Sequence, residues 1–209
     1  MMEDFEPLVF VVDDDASVRK ALARLMRSVG IRAETFASAD EFLAREPHEG
    51  PACVVTDVRM PGLSGLQLQG HLAESGRSLA VIFMTGYGTI PMTVQAMKAG
   101  AVDFLEKPFE DQELIDAVYK ALEENRETMQ AEAELRVIKE RLDSLTSRQR
   151  EVFEMVVSGK LNKQVASELG TSEKTVKAQR AQVMKKTHAD SLADLVRLAE
   201  KMGIRKTPL

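Results

Sequence analysis

Five short apolar runs, at residues 8–12, 31–36, 52–56, 79–84 and 101–105, constrain this chain more than any other feature. Each is short and bounded by turn or helix signals, as buried strands are. Between them the apolar period lengthens. Val18, Leu22, Leu25, Met26 and Val29 recur at three- and four-residue steps, and Gly30 stops that helix. Further helices are predicted over 38–46, 66–72 and 91–99, and a fifth starts near Asp111. The fourth opens on Pro91 and closes before Gly100, the usual order of those two residues around a helix. Five βα units in succession imply an α/β fold, a doubly wound five-stranded parallel sheet with helices on both faces.

What stands at the carboxyl ends of the strands matters most, because ligands and chemistry collect at that edge. The first strand ends on Asp13 and Asp14, the third on Asp57, the fourth on Thr85 and the fifth on Lys107. Three clustered carboxylates cannot all ionise cheaply without a cation. Hard oxygen ligands suit Mg²⁺, which takes one or two carboxylates plus phosphate oxygens. Asp57 is placed to attack phosphorus as a carboxylate nucleophile. A metal and Lys107 would stabilise charge on the transferred oxygens, and Thr85 could hydrogen-bond one of them. Taken singly, an Asp at a strand end is more often a cap, and a Lys before Pro is usually solvated.

The runs Val-Asp-Asp-Asp (12–15), Thr-Asp-Val-Arg-Met-Pro (56–61), Met-Thr-Gly (84–86), Ala-Met-Lys-Ala-Gly-Ala-Val-Asp-Phe (96–104) and Glu-Lys-Pro-Phe (106–109) resemble the flavodoxin-like receiver domain of two-component response regulators, in particular the FixJ-like group. The resemblance implies that Asp57 is the phosphoacceptor and that the phosphoryl donor is a phosphohistidine on a sensor histidine kinase. It implies that Asp14, Asp57 and the backbone carbonyl of Arg59 bind Mg²⁺ directly and Asp13 through water. Thr85 and Phe104 would be the switch pair, and Lys107-Pro108 would be a cis peptide. By itself Phe104 reads as a core aromatic. Phosphorylation would favour a homodimer, with Met92, Gln95, Lys98 and the Val102-Asp103 edge as the candidate face. The receiver would assist only its own phosphorylation and dephosphorylation, so no enzyme is expected.

From Asp111 to about Ser144 the chain has no proline and no glycine. The fifth helix is expected to continue into a long linker helix over 125–142, with or without a break near Asn125. Leu114, Val118, Ala121, Leu122, Met129, Ala133, Ile138 and Leu142 fall loosely at heptad-like spacing. That permits a dimer seam, but the apolar positions are sparse, and the blander reading is a solvated connector.

The rest of the chain changes charge. The whole carries −5, but from Ser144 onward 13 Lys/Arg face 7 Asp/Glu, a net of +6, while residues 1–143 carry −11. A basic module beside an acidic one suggests a polyanionic partner. Four helices fit residues 146–203. Thr146-Ser147-Arg148-Gln149 is a capping box, Asn162 is expected to cap the second helix, and Glu173 to start a third running to about Lys186. Val176 and Val183 face inward; Lys174, Lys177, Ala178, Ala181 and Lys185 fall on the outer face. A basic helix after a tight glycine turn reads as the recognition helix of a helix-turn-helix, set to enter a major groove. Lys174, Arg180, Lys185 and Lys186 would meet phosphate, which positions without specifying. The bland alternative is a solvated basic helix.

Residues 143–205 resemble the LuxR-type helix-turn-helix through Leu-Thr-Ser-Arg (145–148), Arg-Glu-Val (150–152), Asn-Lys-Gln-Val-Ala (162–166), Ser-Glu-Lys-Thr-Val-Lys (172–177) and Ser-Leu-Ala-Asp-Leu-Val (191–196). By that resemblance Lys177, Ala178 and Ala181 lie nearest the bases. Gln149 stands where Glu is usual, Gln179 where His is common, and Thr187 and Ala189 where Leu and Val are usual. The last two weaken the apolar anchor of the recognition helix.

The expected organisation is a receiver over 1–124, a helical linker over 125–142 and a four-helix DNA-binding domain over 143–209. The expected function is a response-regulator transcription factor: a sensor kinase phosphorylates Asp57, the receiver switches and dimerises, and paired modules bind operator DNA. RNA polymerase is a further expected partner. No apolar run approaches the 18 residues of a membrane span, and the acidic start of the chain argues against a secretory signal. The protein is therefore expected in the cytoplasm. The lone Cys53, inside an apolar strand, reads as a core residue. Two rivals remain. One is a phosphatase with an aspartyl-phosphate intermediate, against which Arg59 stands where a second acid/base Asp would be needed. The other is a phosphorylation-independent scaffold whose C-terminal helices bind protein.

Overall fold

The computed structural model of the chain describes residues 6–86 and 88–204. The acidic N-terminal stretch discussed above lies outside them. Five strands, β1 (Leu8–Val12), β2 (Arg32–Phe36), β3 (Ala52–Asp57), β4 (Ala80–Thr85) and β5 (Asp103–Glu106), alternate with α1 (Ala16–Ser28), α2 (Ala39–Leu43), α3 (Gly65–Glu74), α4 (Ile90–Lys98) and α5 (Asp111–Asp143). The strands pair in parallel in the order β2-β1-β3-β4-β5. The chain forms two compact units, divided between Gln130 and Ala131, within α5.

The sheet's period of two sorts its apolar residues onto two faces. Phe10, Val54 and Phe83 pack on one side with Phe42, Leu68 and Leu72 of α2 and α3. Val9, Val11, Cys53, Val55 and Ile82 pack on the other with Leu22 and Met26 of α1 and Leu114 and Val118 of α5. The central strands are buried on both faces, so β1 and β3 read as unbroken apolar runs. β5 starts two residues later than expected. Ala101 and Val102 are buried just before it, with Val102 N–H bonded to Val81 C=O at 2.8 Å.

Two expectations for this unit need correction. Met92 is half-buried and packs into the core, while Ile90, Val94 and Met97 stand exposed on α4. The outward apolar stripe of α4 therefore lies on a different face from the one chosen by sequence. The second is the break that the sequence left open at Asn125: the fifth helix continues as expected and does so without one, α5 being one helix of 33 residues. Asn125 is 3% exposed, its Oδ1 accepts from Ala52 N–H at 2.9 Å and its Nδ2 donates to the carbonyl of Ser78. A polar residue that reads as a helix interruption is here a fully engaged buried amide.

In the second unit α6 (Ser147–Val157), α7 (Asn162–Glu168), α8 (Glu173–Thr187) and α9 (Leu192–Lys201) enclose a third core, which includes Phe153, Val165, Val176, Val183 and Leu195. Ile138 and Leu142 of α5 are buried in this core, so two heptad-spaced positions are not free for a dimer seam. Gln149 closes the capping box of α6 as Glu would: Thr146 N–H donates to its Oε1 at 3.1 Å, and Gln149 N–H to Thr146 Oγ1 at 3.3 Å. Asn162 does not cap α7. The cap position is Leu161, whose N–H is taken by Gln164 Oε1 at 2.7 Å. Thr187 is fully buried, and its hydroxyl returns to Val183 C=O at 2.8 Å. The departure from Leu is thus accommodated by an internal hydrogen bond.

Candidate functional site

The sheet register brings the chemistry-bearing residues to one edge. Val12 lies beside Thr56, Asp57 beside Met84 and Thr85 beside Glu106, so Asp13, Asp57, Thr85 and Lys107 follow one another across the strand ends. Lys107 occupies the centre. Its Nζ donates to Asp57 Oδ2 at 2.8 Å and to Asp13 Oδ2 at 2.9 Å. The Asp13 side chain is 1% exposed, Asp57 16% and Lys107 25%. The remaining oxygens are also held: Asp13 Oδ1 accepts Asp15 N–H at 2.9 Å, and Asp57 Oδ1 accepts Arg59 N–H at 2.8 Å. Burial works against the charge of Lys107, but the hydrogen bonds it donates to Asp57 and Asp13 outweigh this and hold the ammonium above its ordinary pKa.

The other expected residues take different places. Thr85 is 1% exposed, and its carbonyl receives the Lys107 N–H at 2.7 Å. The Lys107-Pro108 peptide is cis. Phe104 is half-buried, its ring centroid 6.1 Å from that of Phe83. Asp14 and Arg59 are exposed. Among the described residues no group of three or more metal-ligating side chains is ready-made. The reason is visible: Lys107 bridges the two inner carboxylates, and Asp14 faces solvent.

Gly65 belongs to this site and sequence reasoning passed over it. A Cβ there would meet the Asp57 carbonyl oxygen at 2.3 Å, and Gly65 N–H bonds Val58 C=O at 3.1 Å. The start of α3 thus rests on the backbone of Asp57. The available signal was a glycine in the first turn of a helix, where it is a poor helix former unless space demands it. Gly88 has a related role: a Cβ there would lie 3.1 Å from the Phe104 ring and 3.3 Å from Thr85 Cγ2.

On α8, Lys174, Lys177, Ala178, Ala181 and Lys185 are exposed, while Val176 and Val183 are buried. Arg180 is half-buried, with Nη1 3.3 Å from Asn162 Oδ1. Lys186 departs from expectation. Its Nζ donates to Ser144 C=O at 2.7 Å and to Gln149 Oε1 at 2.9 Å, so it ties α8 to the start of α6 rather than standing free for phosphate.

Residues 9–119 match the family described as response regulator receiver domain, and residues 143–199 match that of bacterial regulatory proteins, luxR family. The chain belongs to the FixJ-like two-component response regulators. This regulator is 50% identical to Nodulation protein W of Bradyrhizobium diazoefficiens, over 94% of its own length and 87% of that protein. It is 45% identical to the transcriptional regulatory protein FixJ of Azorhizobium caulinodans, over 94% and 93%. The solved structure of the response regulator StyR superposes with a TM-score of 0.83 at 47% identity, covering 94% of this chain and all of that one. The regulator therefore joins a receiver domain to a LuxR-type DNA-binding domain, the architecture of a two-component transcription regulator. Among the described residues no helix is long and apolar enough to cross a membrane.

Proposed function

We propose that Asp57 accepts a phosphoryl group from the phosphohistidine of a sensor histidine kinase, and that this acylphosphate controls DNA binding by the LuxR-type module. The observation that carries the reading is the Lys107 ammonium shared between Asp13 and Asp57 at the carboxyl edge of the sheet. A carboxylate oxygen of Asp57 forms a bond to phosphorus as the phosphorus–nitrogen bond to the donor imidazole breaks. The electron pair leaves with that nitrogen. Lys107 is flexible and a quarter exposed, so it can turn from the carboxylate to a transferred phosphoryl oxygen. The Thr85 hydroxyl, at the neighbouring strand end, is the second group placed to meet that oxygen.

The donor set suits Mg²⁺ in kind. All its oxygens are hard, and two carboxylates already converge on one cation, the Lys107 ammonium. Asp14, Asp57 and the Arg59 carbonyl would hold the ion, with Asp13 acting through water. When bound it would neutralise charge on the phosphoryl oxygens.

Phosphate adds roughly two negative charges at pH 7. That charge would act through Thr85 and Phe104, both of which border the space beside Gly88. The exposed α4 residues Ile90, Val94 and Met97 supply an apolar surface for a homodimer. Paired α8 helices would then bind an operator, with Lys177, Ala178 and Ala181 nearest the bases and Lys174, Arg180 and Lys185 on phosphates. The working division is receiver 1–124, linker 125–142 and DNA-binding domain 143–209. RNA polymerase is the downstream partner, and the receiver's chemistry is confined to itself. A kinase donor and a DNA target support a cytoplasmic location for the protein.

The test compares wild type with Asp57→Asn after exposure to acetyl phosphate and Mg²⁺. Wild type is expected to gain an acid-labile phosphoryl group and sediment as a dimer, and the variant to do neither. Undiminished labelling of the variant overturns the assignment of Asp57.

A further inference from the structure

We infer that Arg19 is a positioning residue for the acid pocket, acting on it through a single peptide unit. The inference rests on the reading of Asp57 as phosphoacceptor. Arg19 lies in α1, whose N-cap is Asp15, and its own N–H donates to Asp15 C=O at 3.1 Å. From there its Nη1 reaches back to two carbonyls, Asp13 C=O at 2.6 Å and Asp14 C=O at 3.0 Å.

The second carbonyl decides the matter. The peptide that carries Asp14 C=O also carries Asp15 N–H, which donates to Asp13 Oδ1 at 2.9 Å. A peptide is planar, so fixing one end fixes the other. This one is gripped on its carbonyl side by Arg19 and on its amide side by the Asp13 carboxylate. The other oxygen of that carboxylate takes Lys107, which also takes Asp57. A continuous series of contacts therefore leads from α1 to the phosphoacceptor: Arg19, the 14–15 peptide, Asp13, Lys107, Asp57.

The need for such a tie follows from the chemistry of the turn. The carbonyls of Asp13 and Asp14 lie between β1 and α1. Turned toward the pocket, their negative ends would oppose the carboxylates that the site must keep together. One cationic nitrogen of Arg19 holds both aside with charge-assisted bonds. A carbonyl bound to a cation also polarises its own peptide, which strengthens the N–H bond to Asp13. Arg19 touches no reacting atom, and its effect is to fix the orientation of Asp13 before a donor arrives.

The full-length protein tests this with Arg19→Met, which removes both bonds, and Arg19→Lys, which restores a cationic donor. Three quantities are read: the rate of labelling by acetyl phosphate against Mg²⁺ concentration, the thermal shift caused by Mg²⁺ alone, and hydrogen exchange at the Asp15 amide. Arg19→Met is expected to slow labelling and weaken the Mg²⁺ response by roughly ten- to a hundredfold, the scale on which partners of ligating groups act. Its Asp15 amide exchanges faster, and Arg19→Lys recovers most of each loss. If Arg19→Met fails to fold, Arg19→Gln, which keeps a neutral donor, takes its place. Wild-type labelling and Mg²⁺ response in Arg19→Met overturn the inference, as does a Lys variant as impaired as the Met one. Wild-type protein that takes no label overturns the phosphoacceptor reading itself, and this inference with it.

Discussion

The Lys107 ammonium stands 2.8 Å from Asp57 Oδ2, and the same nitrogen neutralises Asp13, a carboxylate that is 1% exposed. Lys107 thus supplies positive charge to the same two carboxylates that the proposed ion would act on. Lys107→Met leaves a buried carboxylate without its cation, at a cost of about 1–3 kcal/mol once the partial exposure of the lysine is allowed for. The variant is expected to unfold at lower temperature without Mg²⁺ and to gain more from added Mg²⁺ than wild type does. Calorimetry with and without the ion measures both. Equal Mg²⁺ shifts in the two proteins would show that Lys107 and the ion do not occupy a common field.

The two glycines of α3 make a matched pair. A Cβ at Gly65 meets Asp57 C=O at 2.3 Å, whereas one at Gly70 has nothing within 4 Å. Gly65→Ala must push α3 off the Asp57 backbone, costing about 1–3 kcal/mol as overpacking does and slowing phosphorylation. Gly70→Ala, at an exposed helical position, is expected to stabilise by up to about 1 kcal/mol with phosphorylation unchanged. Urea unfolding and acetyl phosphate labelling of both variants form the check.

Cys53 is fully buried, and burial pushes its thiol up to about 12 from an ordinary value of 9.0. The folded state therefore keeps its proton where the unfolded state has lost it. This group's contribution to stability is intact below pH 9 and declines as pH rises from 9 toward 12, at up to about 1.4 kcal/mol per pH unit. The wild-type loss of stability between pH 8 and 10 should exceed that of Cys53→Ala. Native protein at pH 8 should also resist a thiol reagent that reacts promptly in denaturant. Equal pH slopes in the two proteins would contradict the burial argument.

Lys177 and Lys186 separate docking from scaffolding on one helix. Lys177 is exposed, whereas Lys186 is engaged by Ser144 and Gln149. Operator affinity should fall steeply with salt, because phosphate contacts release counterions. Lys177→Ala, at a position proposed to lie nearest the bases, should weaken operator binding by about 1–3 kcal/mol and relax the sequence preference. Lys186→Ala should instead lower the unfolding midpoint of the DNA-binding unit and leave the sequence preference unchanged. Gel shifts on operator and unrelated DNA across a salt series, with unfolding curves beside them, distinguish the two.

Much of the fold was legible because its signals are local. β1 and β3 are unbroken apolar runs, and α6 carries a capping box that marked its start. The acid pocket was legible because a parallel sheet must align its strand ends, which gathers Asp13, Asp57, Thr85 and Lys107 without knowledge of any side-chain contact. What stayed hidden depends on distant partners. Asn125 reads as a break until Ala52 and Ser78, 73 and 47 residues away, are seen to satisfy its amide. Lys186 reads as a free cation until Ser144, 42 residues earlier, is found beside it. Met92 and Val94 differ by only two positions on one helix, and the choice between them turned on a helical phase that flanking Pro and Gly do not set.

Among the described residues the outer strand β2 pairs only with β1, which leaves its other side without a neighbouring strand. Arg32 and Glu34 lie along it, paired at 3.1 Å, and Arg45 reaches the same carboxylate at 2.7 Å. A foreign strand aligned there would have to strip water from these charges, which native proteins exploit to discourage edge-to-edge aggregation. The same three side chains that look like ordinary surface ion pairs thus also make this edge a poor template for a foreign strand.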